Sequence, residues 1–159
     1  MSRRAKEISA RIETFRDDVL AFVENLSDDD WKRVCEWEEW TVGVTACHLG
    51  AGHFAISGLL GMIVKGEDLP QMTMDQVNEM SKKNAQKYTD ATKAEALELL
   101  RKNGTGLAEF VSGLSEEDFG RKGSMPAFGG EVTAEQFIDY IVFQSASRHL
   151  DSMKTAVGG

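Results

Sequence analysis

Proline occurs only twice in 159 residues, cysteine twice and histidine three times. So few prolines leave long helices unbroken. Cys35 and Cys47 form no Cys-x-x-Cys spacing, which argues against a disulfide framework and leaves two reduced thiols. Basic excess is lacking too: 18 Lys and Arg against 26 Asp and Glu give a net charge of −8. A field of that sign repels phosphate backbones and anionic lipid, so neither nucleic acid nor a membrane is expected as a partner. The N-terminus, MSRRAKEISARIE, turns polar before any apolar signal core develops, and with the reduced cysteines this reads as cytoplasmic. Period-two alternation bounded by turn signals is absent over any useful length, which argues against a sheet.

One stretch lacks charge altogether. Trp40 to Val64 carries no Asp, Glu, Lys or Arg over a length that could cross a bilayer. Its two histidines, five glycines and several Thr and Ser argue against insertion, so it reads as a central helix buried on most sides. The glycines each lower helix propensity by about 1 kcal/mol relative to alanine, and close helix approach or room for a ligand must offset them.

What is present is helical periodicity. Ile8, Ile12, Phe15, Val19, Phe22 and Leu26 recur at alternating spacings of four and three and share one helix face. Leu97, Leu100, Gly104, Leu107, Val111 and Leu114 repeat the pattern after a capping arrangement of Thr92 and Glu95, which predicts a helix over Lys93 to Leu114. Thr133 with Gln136 opens a last helix with a stripe at Ile138, Val142, Ser145, His149, Met153 and Ala156. The uncharged run supplies the second helix, Val42 to Lys65, with a stripe at Val44, His48, Ala51, Ala55, Leu59 and Met62. Thr73 to Tyr88 reads as a shorter polar helix after Pro70. The chain 1–159 is therefore expected to be one all-α domain, a four-helix bundle with a long crossover between helices two and three. LSDDDWKR at Leu26–Arg33 echoes LSEEDFGR at Leu114–Arg121, each where a long helix should end, which suggests two related helix-pair halves.

Two of the three histidines, His48 and His149, fall on core-facing stripes of different helices, an arrangement that can converge on a metal or a proton-transfer site. His53 lies about 140° around an α-helix from His48 and is expected to be structural or exposed. Neither stripe offers a carboxylate or imidazole one turn before its histidine, so the set is a ligand short of the three typical of catalytic zinc. Asn78, Gln144 or a crossover carboxylate could fill the gap. Cys47 points away from His48 and reads as inert. Ser145 stands four residues before His149, but no third partner supports a catalytic triad. Arg148 is expected to form an ion pair, and Trp31, Trp37 and Trp40 to close one end of the bundle, with the acids between them near a helix N-terminus.

A Trp followed by a short turn, then TVGVTACHLGAGH, a crossover reading MDQVNEMSKKNA and a last helix ending SASRHLDSM together resemble the DinB-like superfamily, including the N-terminal domains of mycothiol-dependent maleylpyruvate isomerases. The resemblance covers most of the chain. It implies a four-helix bundle, often dimeric, that holds a divalent metal such as zinc or nickel between helices two and four, with thiol-dependent transferase or isomerase chemistry in some members. By position, His48 and His149 match the family's ligands, and Ser145 stands where the family has histidine or glutamate. Two readings follow. One is a metal-binding bundle related to thiol-dependent transferases or isomerases, with a small-molecule or thiol ligand. The other is a non-catalytic, metal-free bundle that binds a small ligand or acts through a homodimer.

Overall fold

The computed structural model describes residues 2–158. Ser2 caps α1 (Arg3–Glu24) by accepting from the Ala5 amide. After Leu26, the Ser27–Asp30 capping box opens the short α2 (Asp28–Lys32). Thr41 caps α3 (Val42–His48), which runs through a π-helical turn, Leu49–His53, toward α4 (Ser57–Lys65). Gly66, in the left-handed region at φ 73°, ends α4. The crossover carries α5 (Met74–Gln86), opened by a capping box between Thr73 and Gln76. Next come α6 (Lys93–Ser112), capped by Thr92, and α7 (Glu116–Phe119), opened by the Ser115–Asp118 capping box. Both copies of the sequence echo thus open a short helix with a Ser–Asp capping box after a long helix.

Two four-residue strands, β1 (Lys122–Met125) and β2 (Gly130–Thr133), then pair antiparallel from Lys122↔Thr133 to Met125↔Gly130. The all-helical expectation missed this hairpin because four residues are too few for alternation to register. The last long helix is composite: α8 (Ala134–Phe137), a π-helical segment over Ile138–Ser145, and α9 (Ala146–Gly158).

The four long units are α1, the α3–α4 unit, α6 and the α8–α9 unit, a four-helix bundle. The α1 and α6 helices lie antiparallel: Ser9 Oγ donates to the Ala108 carbonyl, and at the other end Lys93 Nζ donates to the Glu24 carbonyl. The expected stripes of helices one, three and four form the core, where Ile12, Val19, Leu100, Leu107, Ile138, Val142 and Met153 are fully buried. The uncharged second helix is long and apolar enough to cross a membrane, with a mean hydropathy of 1.5. Its residues Val42, Leu49, Phe54, Leu60 and Ile63 are buried inside the bundle.

The stripe expected on that second helix holds only through His48. Ala55 is exposed and Leu59 and Met62 are partly buried, while Phe54, Leu60 and Ile63 take the core positions. The π-turn is the reason, because widening one turn advances the following residues around the axis. Its i→i+5 bond runs from the Phe54 amide to the Leu49 carbonyl at 3.1 Å. Gly50 lets this wider turn press against α6, since a Cβ there would lie 2.8 Å from Leu99 Cβ and 2.9 Å from the Leu100 backbone nitrogen. Asn103 Nδ2 also donates to the Gly50 carbonyl at 2.8 Å. Gly50→Ala is therefore expected to destabilise the protein by about 1–3 kcal/mol. Gly58→Ala, with nothing within 4 Å of its Cβ position, is expected to be neutral or stabilising. Chemical denaturation of the two variants checks the contrast.

Candidate metal centre

The π-turn brings together what an unbroken α-helix would separate. At roughly 80° per residue, five residues through a π-turn leave two side chains only about 40° apart. His53 therefore faces the same space as His48, and His149 of α9 joins them. One ligand atom from each of the three rings lies within 4.8 Å of the others. The ring centroids are 5.0, 5.0 and 4.9 Å apart, and every pair of planes is nearly perpendicular. His53 is thus neither exposed nor a bystander, as the α-helical reading expects. It is 8% exposed and supplies the third imidazole. Ser145 is half-buried, and Asn78 and Gln144 are exposed.

Two of the rings are held by hydrogen bonds on Nδ1. His149 Nδ1 lies 2.7 Å from Glu38 Oε2, and His53 Nδ1 lies 3.2 Å from the Ile141 carbonyl. Donation at Nδ1 leaves Nε2 of both rings as the free lone pair. The Ile141 carbonyl also accepts the i→i+5 bond from the Ala146 amide, so the π-helical segment of the last helix helps fix a ring on the second. Nothing in the helix stripes distinguishes this.

Glu38 comes from the loop between α2 and α3. Val34 and Thr41 form an isolated antiparallel bridge, the Cys35 amide donates to the Trp40 carbonyl, and Glu39 adopts a left-handed φ of 64°. This tight loop turns the Glu38 side chain inward until it is 2% exposed. Ser152 Oγ donates to its other carboxylate oxygen. Burial alone would raise the Glu38 pKa, but the hydrogen bonds from His149 and Ser152 outweigh it and hold the group below its ordinary range. The sequence offered no signal separating Glu38 from Glu36 and Glu39.

Aromatic rings surround the cluster. Trp40 meets His48 edge-on at 4.9 Å and stacks near His149 at 6.5 Å, while Trp37 sits 5.3 Å from His149. Arg148 lies 5.2 Å over the Trp37 ring, so a cation–π contact replaces the expected ion pair. Trp31 lies apart from these rings, packed against Gly43 and donating from Nε1 to the Ala91 carbonyl. Cys47 is fully buried and its thiol is pushed up to about 12, chiefly by burial, in keeping with an inert residue.

Burial and the neighbouring rings keep His48 and His53 neutral, with pKa values lowered to about 3 and about 4. Below about pH 6.5 the unfolded chain protonates both rings while the folded chain does not. Stability of the metal-free protein is therefore full above that pH and falls as the pH is lowered through the window down to about 4. Thermal melts at pH 7 and pH 5 in chelator are expected to show a smaller drop in Tm for His48→Gln, His53→Gln than for the unaltered protein.

The donor set fits a borderline divalent cation. Three imidazoles leave one coordination position open, the pattern of catalytic zinc sites. Tetrahedral zinc places ligand nitrogens about 3.4 Å apart, so small ring movements would close the present triangle. His48 and His53 also form part of the wall of a cavity of about 530 Å³ between the second helix and α5.

These features define a class: a four-helix-bundle protein with a tri-histidine cluster between its second and fourth long helices. The DinB superfamily profile matches residues 11–150, and the chain belongs to that superfamily. Among solved structures, YfiT from Bacillus subtilis is similar with a TM-score of 0.74 and 17% identity, over 98% of this chain and 87% of that one. YfiT is described as a probable metal-dependent hydrolase with an unusual four-helix bundle topology. At that identity the likeness establishes a shared fold. No curated protein matches the sequence significantly.

Proposed function

We propose that the protein is a divalent-metal-dependent enzyme of the thiol-transferase type, in which His48, His53 and His149 hold zinc or nickel beside the cavity. The observation that carries the reading is the convergence of three imidazoles, His53 and His149 buried and His48 half-buried, with Nδ1 of the buried pair engaged and Nε2 free. The metal-free alternative rests on an incomplete ligand set, and His53 removes that ground.

A divalent cation bound there supplies Lewis acidity, which polarises a carbonyl and ionises a thiol. Glu38 keeps His149 in the tautomer that presents Nε2, and the Ile141 carbonyl does the same for His53. Trp40 covers the His48 and His149 rings and limits the approach of water on that side. No Asp or Glu lines the cavity, and the Glu38 carboxylate is occupied by His149 and Ser152. A thiol, with an ordinary pKa near 8.5, is a stronger nucleophile than water once ionised and its thiolate suits a borderline cation, which supports a thiol nucleophile.

The test is conjugation of low-molecular-weight thiols to monochlorobimane by zinc- or nickel-loaded protein. The sulfur–carbon bond forms, chloride leaves and the thiol proton passes to solvent. Metal-dependent conjugation, lost on chelation and in His149→Ala, is expected. Hydrolysis of esters with no response to any thiol would overturn the thiol reading in favour of water.

A further inference from the structure

The two walls of the 530 Å³ cavity are not equivalent along their length. The second helix contributes His48 at one end and Leu59 toward the other, and α5 with the residue pair after it runs the opposite way, from Val77 to Tyr88. The pairing of ends follows from a neighbouring cleft in which Trp40 and Val44 meet Lys82, Ala85 and Gln86. Near the imidazoles the wall is therefore polar, carrying Ser81, Asn84, Lys87 and Tyr88. Away from them it is apolar, with Leu59, Met72, Val77, Met125 and Phe128.

Lys87 is the one Lys, Arg, Asp or Glu among the lining residues, and among the described residues it forms no ion pair. In a chain with a net charge of −8, a cation standing alone in a cavity free of acids is a local reversal of sign. Such a reversal attracts an anionic group and disfavours a cationic one. Pockets of this size hold small organic molecules, with the apolar wall supplying affinity and the few polar groups fixing orientation.

We propose that the cavity binds an amphipathic carboxylic acid, its carboxylate at the Lys87 end beside the histidines and its apolar body toward Met125 and Phe128. As the identity of a substrate, this rests on the metal-dependent reading above. As a binding site, it stands on the cavity alone. Lys87 pairs with the carboxylate, and Asn84 and Tyr88 offer it further donors. The apolar body lies against side chains that exclude water.

Calorimetric titration of the protein with octanoate, 1-octanol and octylamine, each with and without chelator, tests the proposal. Octanoate is expected to bind tightest and octylamine weakest in both conditions. Lys87→Gln, an exposed change outside the core, is expected to weaken octanoate about tenfold and leave 1-octanol unchanged. Phe128→Ala is expected to weaken octanoate and 1-octanol alike. Equal affinity for the three probes overturns the proposal, as does octanoate binding that ignores Lys87→Gln and vanishes with chelator, which would put the carboxylate on the metal instead. Because the chelated arm contains no metal, failure of the metal centre leaves the titration able to succeed, and failure of the titration leaves the metal centre standing.

Discussion

His53→Gln protein, loaded with zinc or nickel and desalted, is expected to retain less than about a tenth of the metal held by the unaltered protein. Loss of a direct ligand should exceed the 10- to 100-fold affinity loss typical of an outer-shell change. Glutamine is chosen because its amide can still donate to the Ile141 carbonyl, so the link between the second and last helices survives. The expectation depends on the π-turn. On an unbroken α-helix His53 would stand about 140° from His48, and its replacement would leave the metal content unchanged. Metal analysis together with circular dichroism separates ligand loss from unfolding. Normal metal content in a folded His53→Gln protein would remove His53 from the site.

The second large effect is expected at Glu38. Its carboxylate accepts from His149 Nδ1 and from Ser152 Oγ with the side chain almost wholly buried. Glu38→Gln keeps the shape and one acceptor but removes the charge that supports the ring. A 10- to 100-fold loss of metal affinity is expected, measured by competition with a chromogenic chelator. Glu38→Ala should do more harm, because it leaves two buried donors without partners at about 1–3 kcal/mol each. Ser152→Ala is the milder control, since Glu38 then keeps its bond to His149. If Glu38→Gln binds metal as tightly as the unaltered protein, the hydrogen bond to His149 has no part in holding the ring.

The contrast between His149 and His53 shows what the sequence could and could not carry. Four long helices, the caps of two of them at Thr92 and Thr133, the cap of the crossover helix at Thr73 and the core stripes of helices one, three and four follow from spacing and capping residues, because α-helical geometry maps spacing onto faces. His48 and His149 were legible for that reason. His53 was not, because a π-turn has no capping residue or propensity signature, and one widened turn moves every later side chain. The loss of the expected stripe at Ala55, Leu59 and Met62 has the same cause. Glu38 was hidden differently: its position depends on a loop whose inward turn is set by the Val34–Thr41 bridge and the left-handed backbone at Glu39. Ser145 marks the point where position along the helix misleads, since the third imidazole comes from the second helix and not from the fourth.

The central claim is that three imidazoles of this chain hold one divalent cation. X-ray absorption on protein purified without a histidine tag and reconstituted with one equivalent of zinc counts those ligands directly. Three imidazole nitrogens at about 2.0–2.1 Å, falling to two in His53→Gln with any remaining metal, are expected. A spectrum with fewer than two imidazoles, or dominated by carboxylate oxygen and unaltered in His53→Gln, would contradict it.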